Sequence, residues 1–211
     1  MNYLNNFRAS ERGVAVSRTL KTQAIILGGF ILLIWLLELV DWLILKGALD
    51  SWGVQPRTLE GLRGVLFMPF LHGGFGHLLA NTIPFIILGW LVMLGGIPQF
   101  FIVMALTMFF SGMGAWLFGG TNSVHVGSSG LIFGFFGFIV TRAFFERSIS
   151  SIFLAVFVFL LYGGILLGTL PLRAGVSWQG HLFGFIGGAL AAYFLTARRR
   201  RNLEPIEIDF E

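Results

Sequence analysis

Gly127-Ser128-Ser129-Gly130 opens the apolar run Leu131–Val140. An apolar run of this kind is the body of a membrane helix. Two hydroxyls at its mouth need a reason, because an unpartnered hydroxyl in hydrocarbon costs about 2–7 kcal/mol, which Leu or Ala would avoid. In the first turn of a helix, Ser129 faces backbone N–H groups without intrahelical partners and the positive end of the helix dipole. Developing negative charge is stabilised there.

Composition sets the solvent. The 211 residues are 56% hydrophobic and only 11% charged, with a mean hydropathy of +0.85. A soluble domain carries about 25% charge, so this is an integral membrane protein whose first partner is the lipid bilayer. The formal net charge of +4 calls for no nucleic acid, because the basic residues sit at helix ends and tails. There is no cysteine, hence no disulfide framework and no thiolate metal site. The first 22 residues are polar and basic, and no small-residue cleavage site follows the first apolar run. That run is therefore expected to be a retained helix rather than a signal peptide.

Six apolar segments are expected to span the membrane as one all-α bundle. They are residues 24–45, 77–94, 99–118, 129–145, 151–169 and 181–197. The division is a cytoplasmic N-terminal segment, 1–22, a six-span bundle, 23–198, and a cytoplasmic tail, 199–211. Between the first two spans lies a polar loop, 46–76. It contains Val65–Leu71, an apolar patch too short to cross and so interfacial or re-entrant. Six spans put both termini on one side. The basic N-terminus, the Arg142/Arg147 turn and Arg198-Arg199-Arg200-Arg201 also fall on that side, which the positive-inside rule makes cytoplasmic, with a plasma or inner membrane as the expected location. The second, fourth and sixth spans then start from the outer face, at His77, Ser129 and His181.

From Ser129 to Arg142 a helix rises only about 20 Å, against a hydrocarbon thickness of about 30 Å. Ser129 is therefore expected below the outer surface, and so is His181, about 25 Å from Arg198. A water-reachable cavity follows. Gly180, Gly184 and Gly188 recur at intervals of four, as do Gly130 and Gly134, with Gly137 beyond. Such spacing lets membrane helices approach closely. A neutral His181 within hydrogen-bond reach of Ser129 would accept its proton and return it to a leaving amine. Glu38 and Asp41 are the carboxylates considered as orienters, although packing alone is expected to steady the ring. His77 and Asn81 lie four apart on one helix face; in isolation such a pair reads as a polar cluster joining helices, and with the Ser129 N–H it offers the donors of an oxyanion hole.

These motifs resemble those of the rhomboid intramembrane serine proteases. The family's pattern reads here as His77-Leu78-Leu79-Ala80-Asn81, Gly127-Ser128-Ser129-Gly130 and Gly180-His181-Leu182-Phe183-Gly184, in order and across about residues 24–197. The resemblance implies a six-span rhomboid-like bundle that hydrolyses peptide bonds in or near transmembrane segments of other membrane proteins. It makes Ser129 the nucleophile, His181 the base, and His77 and Asn81 the oxyanion donors. Gly127, Gly130, Phe133, Gly180 and Gly184 support the site, and no cofactor is implied. Substrate would enter near the fifth span and the 170–180 loop. Two positions depart from the family pattern. Leu62-Arg63 stands near the family's Trp-Arg of the first loop, and Phe133 replaces a frequent Tyr while still able to stack on His181. A non-catalytic rhomboid-like binder or chaperone of membrane segments is the rival reading. Oligomeric state is not readable from the sequence.

The remaining features receive plainer readings. His72 is expected to cap the loop before the second span. His125 is expected to be solvated in a flexible loop. With no His-Glu-x-x-His helix, no metal site is expected. Phe138 is expected to face lipid. Glu38 and Asp41 are expected to face water or the bundle interior, and the arginine run to act as a stop-transfer anchor with anionic lipid as a further ligand.

Overall fold

The computed structural model describes residues 2–171 and 175–201, with side chains within 16–171 and 175–199. Arg173, the side chains of Arg200 and Arg201, and the acidic tail 202–211 lie outside the described residues. The first helix runs unbroken over Asn2–Val40 and continues as a π-helical turn, Asp41–Leu45. The polar N-terminal stretch is thus helical and continuous with the first span. It contains no proline, and its arginines Arg8, Arg12 and Arg18, with Lys21 and Leu20, favour helix.

Six helices are long and apolar enough to cross a membrane: Val16–Leu45, Phe75–Met93, Ile97–Phe118, Ser129–Glu146, Ile149–Thr169 and Trp178–Arg199. They are called the first to sixth spans below. No β-strand occurs among the described residues; one antiparallel bridge joins Val54 and His125. The second and sixth spans begin earlier than the motifs suggest, so His77 and His181 lie within the first turn rather than at its first residue. Gly74, with φ of +124°, makes the turn into the second span. The fifth span is α-helical to Tyr162 and tightens to a 3₁₀ helix over Gly163–Thr169, where two successive glycines weaken the α conformation.

The fourth span is the hub and packs against the second, third, fifth and sixth. Ten successive residues, Gly130–Ile139, are buried, so this helix has almost no lipid-facing side. That corrects the expectation for Phe138, which is 1% exposed and belongs to a buried aromatic layer with Phe85, Phe100, Phe135 and Phe136. The glycines account for the hub. A side chain on Gly184 would strike the carbonyl of Gly130, and one on Gly188 the carbonyl of Gly134. The sixth-span glycines therefore meet fourth-span backbone, as their spacing predicts. Gly130 and Gly134 make room on another side, for Ser111 and Thr107 of the third span.

The loop over residues 46–76 is not a loose connection. Glu60–Arg63, Gly64–Phe67 and Met68–Phe70 are short helical turns. Val65 lies against Gly112 of the third span, and Met68 is buried. The Arg63 guanidinium stands 4.6 Å from the centre of the Trp52 ring.

Gly188→Val should lower thermal stability in detergent by about 1–3 kcal/mol, because the added side chain meets backbone that cannot yield. Gly29→Ala, with nothing within 4 Å of its new methyl, should leave the melting temperature unchanged or slightly raised. Equal effects of the two substitutions would mean that the helix crossing tolerates separation.

Candidate active site

The two adjacent serines at the mouth of the fourth span take different roles. Ser128 holds the N-cap position and is fully buried. Its N–H donates to His72 Nε2 at 3.4 Å, and its Oγ lies 3.3 Å from the same nitrogen. His72 is 2% exposed, so it anchors the start of the fourth span rather than only capping the loop before the second. Ser129, the first helical residue, is half-buried and keeps its hydroxyl for another partner.

That partner is His181. Its Nε2 lies 2.8 Å from Ser129 Oγ, and its Nδ1 lies 2.8 Å from the carbonyl of Gly168. A carbonyl only accepts, so Nδ1 carries the proton and, in the neutral ring, Nε2 accepts from the Ser129 hydroxyl. Phe133, one turn below Ser129, stacks on the imidazole at 4.1 Å between centroids and 8° between planes. Stacking of this kind contributes about 0.5–1.5 kcal/mol. Glu38 and Asp41 do not orient the ring. They line a small cleft with Asp50 and His72 instead, and Asp41 Oδ1 accepts from the Leu49 N–H at 2.9 Å. The start of the sixth span is pinned by Ser111, whose hydroxyl donates to the Gly180 carbonyl at 2.8 Å.

His77 and Asn81 come to the same place from the second span. Gly127 has φ of +116°, and a side chain there would lie 2.5 Å from His77 Cε1 and 3.5 Å from Asn81 Nδ2. Only glycine allows both side chains over this turn. Asn81 is buried, and its Nδ2 has no hydrogen-bond partner among the described residues.

Three features escaped the sequence reading. Gly168 gave no signal, because its contribution is a backbone carbonyl exposed by a local change of winding. His72 gave a weak one, a histidine five residues before His77. His125 was expected to be solvated, but it is buried. Its Nδ1 lies 2.6 Å from Ser177 Oγ and its Nε2 3.0 Å from Ser123 Oγ, which ties the 119–128 loop to the entry of the sixth span. Burial lowers its pKa.

The fold and this site define a membrane-embedded helical bundle with a hydrogen-bonded Ser–His pair at one end. A family model of the Rhomboid domain matches residues 60–198, and the chain belongs to the rhomboid family. Uncharacterized protein Rv1337 of Mycobacterium tuberculosis is 40% identical over 198 residues, covering 88% of this chain and 82% of the relative. Uncharacterized protein ML1171 of Mycobacterium leprae is 41% identical over 181 residues, 82% of this chain and 71% of the relative. A Bacillus subtilis protein bearing the name "Putative rhomboid protease YdcA" is 29% identical over 134 residues, 63% of this chain and 66% of the relative.

The surroundings of the pair titrate out of the ordinary range. Burial, helped by the neighbouring His77 and opposed by the Phe70 backbone, lowers His72 to about 3. Burial, and then the Asp41 carboxylate, raises Asp50 to about 6. Below pH 6.5 the unfolded chain binds the His72 proton and the folded chain does not. The contribution of neutral His72 to stability is thus complete above pH 6.5 and is lost as pH falls toward 3. Asp50 acts in the opposite sense, favouring the folded state at low pH and losing that contribution as pH rises through about 6. His72→Gln should therefore show a smaller fall in melting temperature between pH 6.5 and pH 4 than the parent protein. Asp50→Asn should gain most above pH 6. Superimposable acid limbs for parent and His72→Gln would show that His72 is not held neutral.

Proposed function

We propose that this chain is an intramembrane serine endopeptidase that cleaves peptide bonds in or near the transmembrane segments of other membrane proteins. The observation that supports it most is the Ser129 Oγ to His181 Nε2 separation of 2.8 Å, with His181 Nδ1 committed to the Gly168 carbonyl. In this reading Ser129 Oγ attacks the scissile carbonyl while its proton passes to His181 Nε2. The tetrahedral oxyanion is held by His77, Asn81 Nδ2 and the Ser129 N–H, which lies at the positive end of the fourth span's dipole. Collapse breaks the C–N bond, and the amine leaves with the proton from His181. Water, deprotonated by the same nitrogen, then hydrolyses the acyl-enzyme. The chemistry uses these residues alone and calls on no cofactor.

The substrate segment must unwind locally, because a helix keeps its carbonyls hydrogen-bonded and away from a nucleophile. The fifth span is the least buried of the six, and its 3₁₀ end carries Gly168, so lateral entry beside it delivers a strand to the pair. Arg18, Lys21, Arg142, Arg147, Arg198 and Arg199 gather at the far end. By the positive-inside rule this distribution supports cytoplasmic termini and a site toward the outside.

Ser129→Ala and His181→Ala should each abolish cleavage of a co-expressed single-span protein while insertion and folding persist. A fluorophosphonate should label the parent at Ser129 and neither variant. Retained cleavage in Ser129→Ala, with loss in Ser128→Ala, would move the nucleophile to Ser128 and overturn the proposal. A folded parent protein that binds membrane segments but is neither labelled nor active would favour the non-catalytic binder.

His77→Ala and Asn81→Ala should each lower turnover about 10²–10³-fold, as expected for one oxyanion donor among several. Turnover equal to the parent in both variants would reduce the second span to a structural role.

A further inference from the structure

The end of the bundle opposite Ser129 holds a groove of about 610 Å³, formed where the turn after the second span meets the ends of the fourth and sixth. Its lining divides by chemistry. Leu94, Ile102, Phe138 and Leu195 make it apolar, while Arg142, Arg198 and Arg199 carry cations into the same space. Two of these arginines share one carboxylate. Arg142 Nε lies 2.9 Å from Glu146 Oε1, and Arg199 Nη1 lies 3.4 Å from the same oxygen. Glu146 therefore draws two of the cations together but neutralises only one charge. The Arg142 guanidinium is 5.8 Å from the centre of the Phe138 ring, so the charge sits directly beside the apolar wall. Arg142 is thirteen residues along the helix from Ser129, a rise of about 20 Å, which puts the cluster toward the opposite membrane boundary.

The geometry points to a binding site for an anionic phospholipid, with the phosphate held by Arg142, Arg198 and Arg199 and an acyl chain along the Leu94, Ile102 and Leu195 wall. Guanidinium groups pair with phosphate oxygens through two parallel N–H donors. Basic pockets between helix ends at the membrane surface are suited to lipid headgroups. A free phosphate would use the arginines and leave the apolar wall wet, whereas a zwitterionic lipid would meet an excess of positive charge. The site is remote from Ser129 and does not depend on the reaction proposed there.

The test is native mass spectrometry of the full chain in detergent, titrated with phosphatidylglycerol or with phosphatidylcholine of the same acyl chains. The parent protein should prefer phosphatidylglycerol by about tenfold or more, since each nearby arginine contributes roughly fivefold. The combined substitutions R142Q, R198Q and R199Q should remove that preference. Glu146→Gln should tighten phosphatidylglycerol binding several-fold, because it frees two arginines; this variant keeps all three cations and guards against a triple variant that fails to fold. Arg147→Gln, an exposed cation at the same end that does not line the groove, should change binding less than twofold. Equal retention of the two lipids would overturn the proposal, as would weaker binding in Glu146→Gln. A loss in Arg147→Gln as large as in the triple variant would reduce the effect to general surface charge. Competition by glycerol phosphate at the lipid's own concentration would show a phosphate site without lipid docking.

Discussion

The site depends on how closely the fourth and sixth spans cross. Gly184 and Gly188 put bare backbone against the carbonyls of Gly130 and Gly134. At ordinary interhelical distance, about 8–10 Å, side chains would stand between the helices, and Ser129 would lie out of reach of a residue three positions before Gly184. In lipid there is no hydrophobic drive between helices, so close van der Waals packing supplies much of the association. The packing that stabilises the bundle is thus also the packing that brings Ser129 Oγ to 2.8 Å from His181 Nε2.

Polar groups placed in a membrane need internal partners, and the partners found here also set the chemistry. The Gly168 carbonyl fixes which His181 nitrogen holds the proton. His72 Nε2 meets both the N–H and the hydroxyl of Ser128, which leaves Ser129 as the serine paired with His181. His125 joins Ser123 to Ser177, and the bridge between Val54 and His125 ties the 46–76 loop to the same point. Four buried side-chain atoms lack a partner among the described residues, namely Asp50 Oδ1, His72 Nδ1, Asn81 Nδ2 and Thr107 Oγ1, and of these Asn81 Nδ2 lies over the Gly127 turn beside His77.

Much of this was legible in the sequence because membrane helices are long, apolar and strongly periodic. The six spans, the shared end of His77, Ser129 and His181, and the glycine contact between the fourth and sixth spans follow from hydropathy and spacing. The starts of the second and sixth spans were missed by two or three residues, since Phe75-Gly76 and Trp178-Gln179-Gly180 carry no clear helix signal. Phe138 was misplaced because an apolar residue looks the same to lipid and to a core. His125 was misread because a Gly- and Ser-rich loop suggests exposure, yet this loop is held by side chains distant in sequence. Gly168 was invisible because a backbone carbonyl has no residue type.

The most direct test of the account is the position of one proton. In protein labelled with ¹⁵N-histidine, the His181 resonances can be assigned by their loss in His181→Asn, there being only four histidines. The Nδ1 of His181 should carry the proton at neutral pH, with an unprotonated Nε2 shifted by its hydrogen bond from Ser129 and restored toward an ordinary value in Ser129→Ala. A proton on Nε2, with Nδ1 bare, would contradict both the Gly168 tether and the role of His181 as acceptor for Ser129.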